Sequence, residues 1–218
     1  MAQDYNDKSQ AYFSAARTDV EPLLAPLAPR ALEVGCGSGG TMRWLKHAGR
    51  VRQGWGLEVS DAAAAQAREH FEHVLTGDAE KLIDVAFEGV SFELILCLDV
   101  LEHMVDPWAF VKALQSRLAP AGKLIISVPN IRCLKVLLPL AFRGQWVYGD
   151  QGILDRTHLR FFTRASALEL AASTELKVER CLERHGENTR LEQLNRWTRG
   201  ALSDFTALQF LVASSRPI

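Results

Sequence analysis

From about Ala31 onward, short apolar runs alternate with longer stretches whose apolar positions recur at helical spacing, the pattern of strands joined by crossover helices. The runs predict strands over 30–34, 53–59, 73–75, Phe92–Leu98 and 123–128, the last following a Pro120-Ala121-Gly122 turn. Between them fall helices over about 40–48, over 61–71 with Ser60 or Asp61 as cap, and from Pro107 with Asp106 as N-cap. Ahead of this core, residues 7–25 place Ala11, Phe13, Ala16, Val20 and Leu24 near helical spacing, and Pro26 and Pro29 end that predicted helix.

After Pro129 the rhythm changes. Residues 131–142 read as helix but for Pro139, 144–157 read as loop, and Thr163 caps a helix through about 173. A strand over 176–184, a polar helical stretch near 188–200 and a strand over 207–214 close the chain. No long crossover separates the two closing strands, so they predict an antiparallel edge pair and a mixed sheet.

A length of 218 residues, 48% apolar and 23% charged, suits one medium α/β domain. With 25 Lys+Arg against 26 Asp+Glu, the broad basic field of a nucleic-acid binder is absent. Cys36, Cys97, Cys133 and Cys181 form no C-x-x-C pair, which points away from a disulfide framework or redox motif and toward a reducing, cytoplasmic setting. No apolar run reaches the ~18 residues of a membrane span, and the first ten residues are polar, unlike a signal peptide. No clustered His/Asp ligand set is visible, so no metal is expected.

The first strand ends in Glu33-Val-Gly35-Cys-Gly37-Ser-Gly39-Gly40, a turn whose bare backbone N–H groups can approach a ligand closely at the start of a helix. The spacing Gly35-x-Gly37-x-x-Gly40 also fits a dinucleotide fingerprint, and Glu58, about twenty residues on, stands where either kind of nucleotide presents its ribose hydroxyls. The turn alone does not choose between ligands.

Three further features do: Glu33 two residues before the first glycine, Gly77-Asp78-Ala79-Glu80 after the third strand, and Leu98-Asp99-Val100-Leu101-Glu102-His103 after the fourth. Over about residues 30–130 the chain resembles the class I S-adenosylmethionine (SAM) dependent methyltransferases. That resemblance implies a Rossmann-like three-layer α/β/α sandwich with a mostly parallel seven-stranded sheet and an antiparallel last strand. It further implies that Glu58 accepts the ribose hydroxyls, that Asp78 and the N–H of Ala79 meet adenine, and that Leu98 and Asp99 border the methionine moiety. Asp99 or Glu33 then attracts the ammonium. The segment Tyr12-Phe13-Ser-Ala-Ala-Arg17 resembles the covering helix of ubiquinone-type O-methyltransferases, which implies that Arg17 meets the SAM carboxylate; a solvated surface arginine is the alternative.

The acceptor side is expected in the insert 129–163, with 1–29 as a cover, since these depart from the bare sheet. Asp155-Arg156-Thr157-His158-Leu159-Arg160-Phe161-Phe162-Thr163 resembles a stretch of methyltransferases that accompany bacterial glycosyltransferases, implying a small-molecule or glycan-linked acceptor, with oxygen favoured as the methylated atom. His158, with an ordinary pKa near neutrality, is the expected general base, or else it fixes the loop with Asp155. Phe161 and Phe162 read as core anchors, and His103 as either a substrate contact or a cap. Two other functions stay open, a SAM-binding regulatory protein and an NAD-dependent oxidoreductase. Oligomeric state is not legible.

Overall fold

In the computed structural model, which describes residues 15–172, 175–186 and 189–217, the apolar runs become β1 (Ala28–Val34), β2 (Val51–Glu58), β3 (His73–Thr76), β4 (Phe92–Leu98), β5 (Leu118–Pro129), β6 (Lys177–Arg184) and β7 (Gln209–Ser215). They form one sheet in the order β3-β2-β1-β4-β5-β7-β6. The first five strands run parallel, and β7 is antiparallel to both β5 and β6. The helices are α1 (Gly40–His47), α2 (Asp61–Ala67), α3 (Ala79–Leu82), α4 (Pro107–Ser116), α5 (Leu134–Arg143), α6 (Arg164–Ala171), α7 (Arg190–Trp197) and α8 (Ser203–Thr206).

The central strands are apolar on both faces because both faces are covered. Leu32, Val34, Ile95, Cys97, Leu124 and Ile126 join a core with Phe110 and Leu114 of α4. Their neighbours Ala31, Leu94, Leu96 and Ile125 join the opposite core with Met42 and Leu45 of α1. The period-two alternation of a strand thus produces the three-layer α/β/α sandwich. The expected caps hold these helices: Ser60 Oγ accepts from Ala63 N–H, Asp106 from Ala109 N–H, and Thr163 forms a capping box with Ser166.

Two boundaries differ from expectation for physical reasons. Pro120-Ala121-Gly122 lies inside β5 rather than ahead of it: the pairing with β4 passes from Phe92↔Leu118 to Leu94↔Lys123, so the segment bulges out and re-enters the ladder. Glycine is required there, since a Cβ on Gly122 would stand 2.8 Å from the Ala119 carbonyl oxygen and 2.9 Å from that of Phe92. Of the helix expected over 7–25, the residues through 14, Ala11 and Phe13 among them, lie outside the described residues. The remainder contains a 3-10 helix, Thr18–Leu23, with Pro22 inside it lacking the N–H that an α-helix would use. No helix among the described residues is long and apolar enough to cross a membrane.

Candidate active site

Parallel strands deliver their carboxyl ends to one edge, and register makes those ends level: Val34 pairs with Leu57 and with Cys97, and Glu58 with Thr76. A cleft of about 840 Å³ opens there. Arg17, Glu33, Gly35, Gly37, Glu58, Asp78, Ala79, Leu98 and Asp99, the residues expected at the cofactor, all line it.

The glycine turn lies tight against its neighbours. Gly35 has φ +67°, and a Cβ there would meet Val100 Cγ2 at 2.5 Å, so only glycine lets β1 and the loop after β4 close on one another. Glu58 accepts the Gly37 N–H at 2.8 Å and the Ser60 N–H at 2.9 Å, one on each carboxylate oxygen, which fixes its orientation. Each oxygen keeps a further lone pair. Burial raises the Glu58 pKa, opposed by the N–H groups of Ser60, Gly37 and Val59.

Glu33 is buried, and its Oε2 has no hydrogen-bond partner. Burial pushes its pKa up to about 8; Thr41 and Arg17 pull it down, and Glu58 adds to the rise. An orphaned carboxyl oxygen in the cleft wall fits a site built to receive a cation such as the SAM ammonium. At pH 7 Glu33 is largely protonated in the empty cleft, so SAM should displace a proton on binding. Calorimetry at pH 7 in two buffers of different ionisation heat should show proton release by the wild type that is lost in Glu33→Gln; equal release by both proteins would remove Glu33 from ammonium binding. In the empty protein the sign runs the other way for stability. A carboxyl pKa raised above its unfolded value makes the fold less stable as pH climbs from the ordinary carboxylate range through about 8.

Arg17 is not a solvated surface residue. Its side chain is 14% exposed; it bonds Asp99 through Nη1 and holds Asp19 at 3.0 Å through both Nε and Nη2. Burial opposes the charge, but Asp99 and Asp19 outweigh it and raise the Arg17 pKa. Asp99 also accepts from Ser127 Oγ at 2.8 Å and Gln209 Nε2 at 2.6 Å. These partners hold it at φ +57°, a left-handed conformation that costs a non-glycine residue about 1–3 kcal/mol. Asp78 both lines the cleft and caps α3, accepting the Glu80 N–H at 3.1 Å.

Past Asp99 the chain turns through a 3-10 helix, Leu101–His103, and brings together three buried groups. His103 lines the cleft. Behind it lies His158, its ring 4.7 Å from that of His103 and its Nε2 4.0 Å from Glu102 Oε1. This corrects the placement of His158 as a base facing the acceptor: its side chain is 6% exposed, because the Leu159 and Arg160 N–H groups donate to the Glu102 carbonyl and draw it beneath the turn. It also corrects the reading that no ligand-type cluster exists, since Glu102, His103 and His158 each offer a donor atom within 4.8 Å of the others. Burial, then Asp99, raises the Glu102 pKa well above the usual carboxylate range. Of the two phenylalanines, Phe162 is the core anchor, whereas Phe161 stacks edge-on with Trp146 at 5.3 Å and with His158 at 6.4 Å, beside the site.

Comparison with known proteins agrees with this geometry. A methyltransferase-domain family model matches residues 8–180. Among curated relatives, a ubiquinone biosynthesis O-methyltransferase of Xanthomonas axonopodis pv. citri is 33% identical over 51% of this chain and 47% of its own length. One of Ralstonia nicotianae is 27% identical over 92% of this chain and 82% of its own. The chain thus spans about half the length of the first of these relatives. A SAM-dependent methyltransferase from Archaeoglobus fulgidus shares the fold, with a TM-score of 0.64 at 16% identity over 98% of this chain and 97% of its own. The dinucleotide reading of the glycine turn thereby gives way: the chain belongs to the methyltransferase-domain family and has the fold and cofactor cleft of a class I SAM-dependent methyltransferase.

Proposed function

We propose that this chain transfers the methyl group of SAM to a hydroxyl oxygen of a small-molecule or glycan-linked acceptor. The observation that carries the reading is one continuous cleft, from the residues suited to SAM at the strand ends to His103, with buried His158 and Glu102 behind that histidine. The name of the Ralstonia relative, an O-methyltransferase aligned over 92% of this chain, supports oxygen as the acceptor atom. Resemblance of the 155–163 stretch to methyltransferases of polysaccharide clusters supports a glycan-linked acceptor.

In this reading Glu58 accepts the ribose hydroxyls, Asp78 and the Ala79 N–H meet adenine, and Leu98 borders the methionine chain. Arg17 faces the carboxylate of that amino acid, with Asp99 and Glu33 toward its ammonium. The cofactor supplies a methyl group on a positively charged sulfur, which leaves by in-line displacement. The protein's task is to align the acceptor oxygen and remove its proton. His103 is the group at the cleft wall that faces the acceptor; His158 acts through it as a positioning residue. The insert 129–163 covers the acceptor side, with Gln151 lining the cleft.

A regulatory protein that binds SAM without chemistry is the competing reading. Adding extract fractions to the purified protein should accelerate conversion of SAM to its demethylated product; a rate that no fraction changes would favour the regulatory role.

A further inference from the structure

Among the described residues that line the cleft, three carry a permanent positive charge: Arg17, Lys81 and Arg184. Arg17 is matched to Asp99 and Asp19, and Lys81 lies 3.3 Å from Asp78, just beyond the end of β3. Arg184 is placed differently. It ends β6, the strand at the edge of the sheet opposite β3, and its side chain is 50% exposed. Its Nη1 donates to a neutral amide, Gln209 Oε1, at 2.9 Å. Its Nε stands 3.5 Å from Asp19, whose two oxygens already accept from Arg17 at 3.0 Å.

Gln209 orients this guanidinium. Its Nε2 donates to Asp99 at 2.6 Å, which turns Oε1 toward Arg184. Gln209 pairs with Arg184 on one side and with Pro129 on the other, so both side chains start level with the end of β5. Strand order then fixes which end of the cleft Arg184 serves: Glu58, Asp78 and Asp99 follow β2, β3 and β4, and Arg184 lies beyond them, past β5 and β7.

From this placement we infer that Arg184 binds an anionic group of the methyl acceptor, a carboxylate or a phosphate, and thereby selects acidic over neutral acceptors. The inference rests on the proposed function, in which SAM occupies the strand ends from β3 to β4 and leaves the β6 end of the cleft to the acceptor. A guanidinium carries five N–H donors in a planar fork, more than Gln209 and Asp19 engage, and that fork matches two oxygens of a carboxylate or phosphate. Asp19 competes weakly, since it stands 3.5 Å away with both oxygens on Arg17. An incoming anion can therefore bind while the Gln209 contact keeps the fork aimed.

The test is calorimetry on protein loaded with the demethylated product of SAM, using two matched pairs of hydroxylated probes: para-hydroxybenzoate against phenol, and glucose 6-phosphate against glucose. At least one anion should bind about tenfold more tightly than its neutral partner, the gain of a charge-assisted contact, and the pair that differs tells carboxylate from phosphate. Arg184→Gln should erase the difference, and Arg184→Lys, which keeps the charge without the fork, should retain part of it. Arg52→Gln, which removes the same charge from an exposed position at the start of β2, should retain all of it. SAM itself should bind all four proteins alike. No difference within either pair, or a difference that survives in Arg184→Gln, would overturn the inference; so would an Arg184→Gln variant that loses SAM affinity and keeps the anion preference, since Arg184 would then serve the cofactor. These titrations need no turnover. An anion preference that depends on Arg184, in a protein whose SAM conversion no extract fraction accelerates, would count against the proposed function alone, whereas accelerated conversion without any anion preference would overturn this inference alone.

Discussion

Replacing His158 with glutamine should lower turnover about a hundredfold, roughly 2.7 kcal/mol of barrier, while SAM affinity changes little. The expectation rests on position. His158 is buried and does not line the cofactor cleft, so its loss removes no contact to SAM; its ring lies 4.7 Å from His103, and its Nε2 4.0 Å from Glu102. Glutamine is close in size but supplies an amide where the imidazole nitrogen was. A structural role would show as loss of thermal stability and of SAM binding together. A positioning role shows as a fall in kcat with the KM for SAM and the unfolding temperature nearly constant. Normal turnover in this variant would remove His158 from the reaction.

Glu58→Ala should weaken SAM by about 1.5–3 kcal/mol, roughly tenfold to a hundredfold. Glu58 has two tasks that this substitution ends at once. It offers charged acceptors at the end of β2, and it satisfies the buried N–H groups of Gly37 and Ser60 at 2.8 and 2.9 Å. Removal therefore leaves donors unpaired in the glycine turn and just after β2, and their desolvation adds to the lost contact. Glu58→Gln, which keeps one acceptor oxygen, should fall between wild type and alanine. Calorimetry reads all three; unchanged affinity in the alanine variant would show that the ribose binds elsewhere.

The sheet was largely legible because its signals are local and redundant. The apolar run Phe92–Leu98 has the same bounds as β4, and Ser60, Asp106 and Thr163 each cap the helix they precede. Glu33, Glu58 and Asp78 were legible for a related reason: each stands at or just beyond the carboxyl end of a predicted strand, and parallel strands bring such ends together whatever the loops do. The acceptor end lacks that property. His158 reaches His103 across more than fifty residues, through contacts of Leu159 and Arg160 with the Glu102 carbonyl that leave no trace in spacing. Gln209 was missed likewise, for it meets Asp99 only because β7 inserts antiparallel beside β5. Helices as short as α3 and the Leu101–His103 turn are below the length at which apolar periodicity can be read.

The most direct test of the functional account is to find where the methyl group goes. The protein is incubated with methyl-labelled SAM and extract fractions, and the labelled product is fragmented in a mass spectrometer. Label on an oxygen of a small or glycan-linked molecule, absent from a parallel reaction with Glu58→Ala, is the predicted result. Label on nitrogen or carbon, or no labelled product from any fraction, would contradict it.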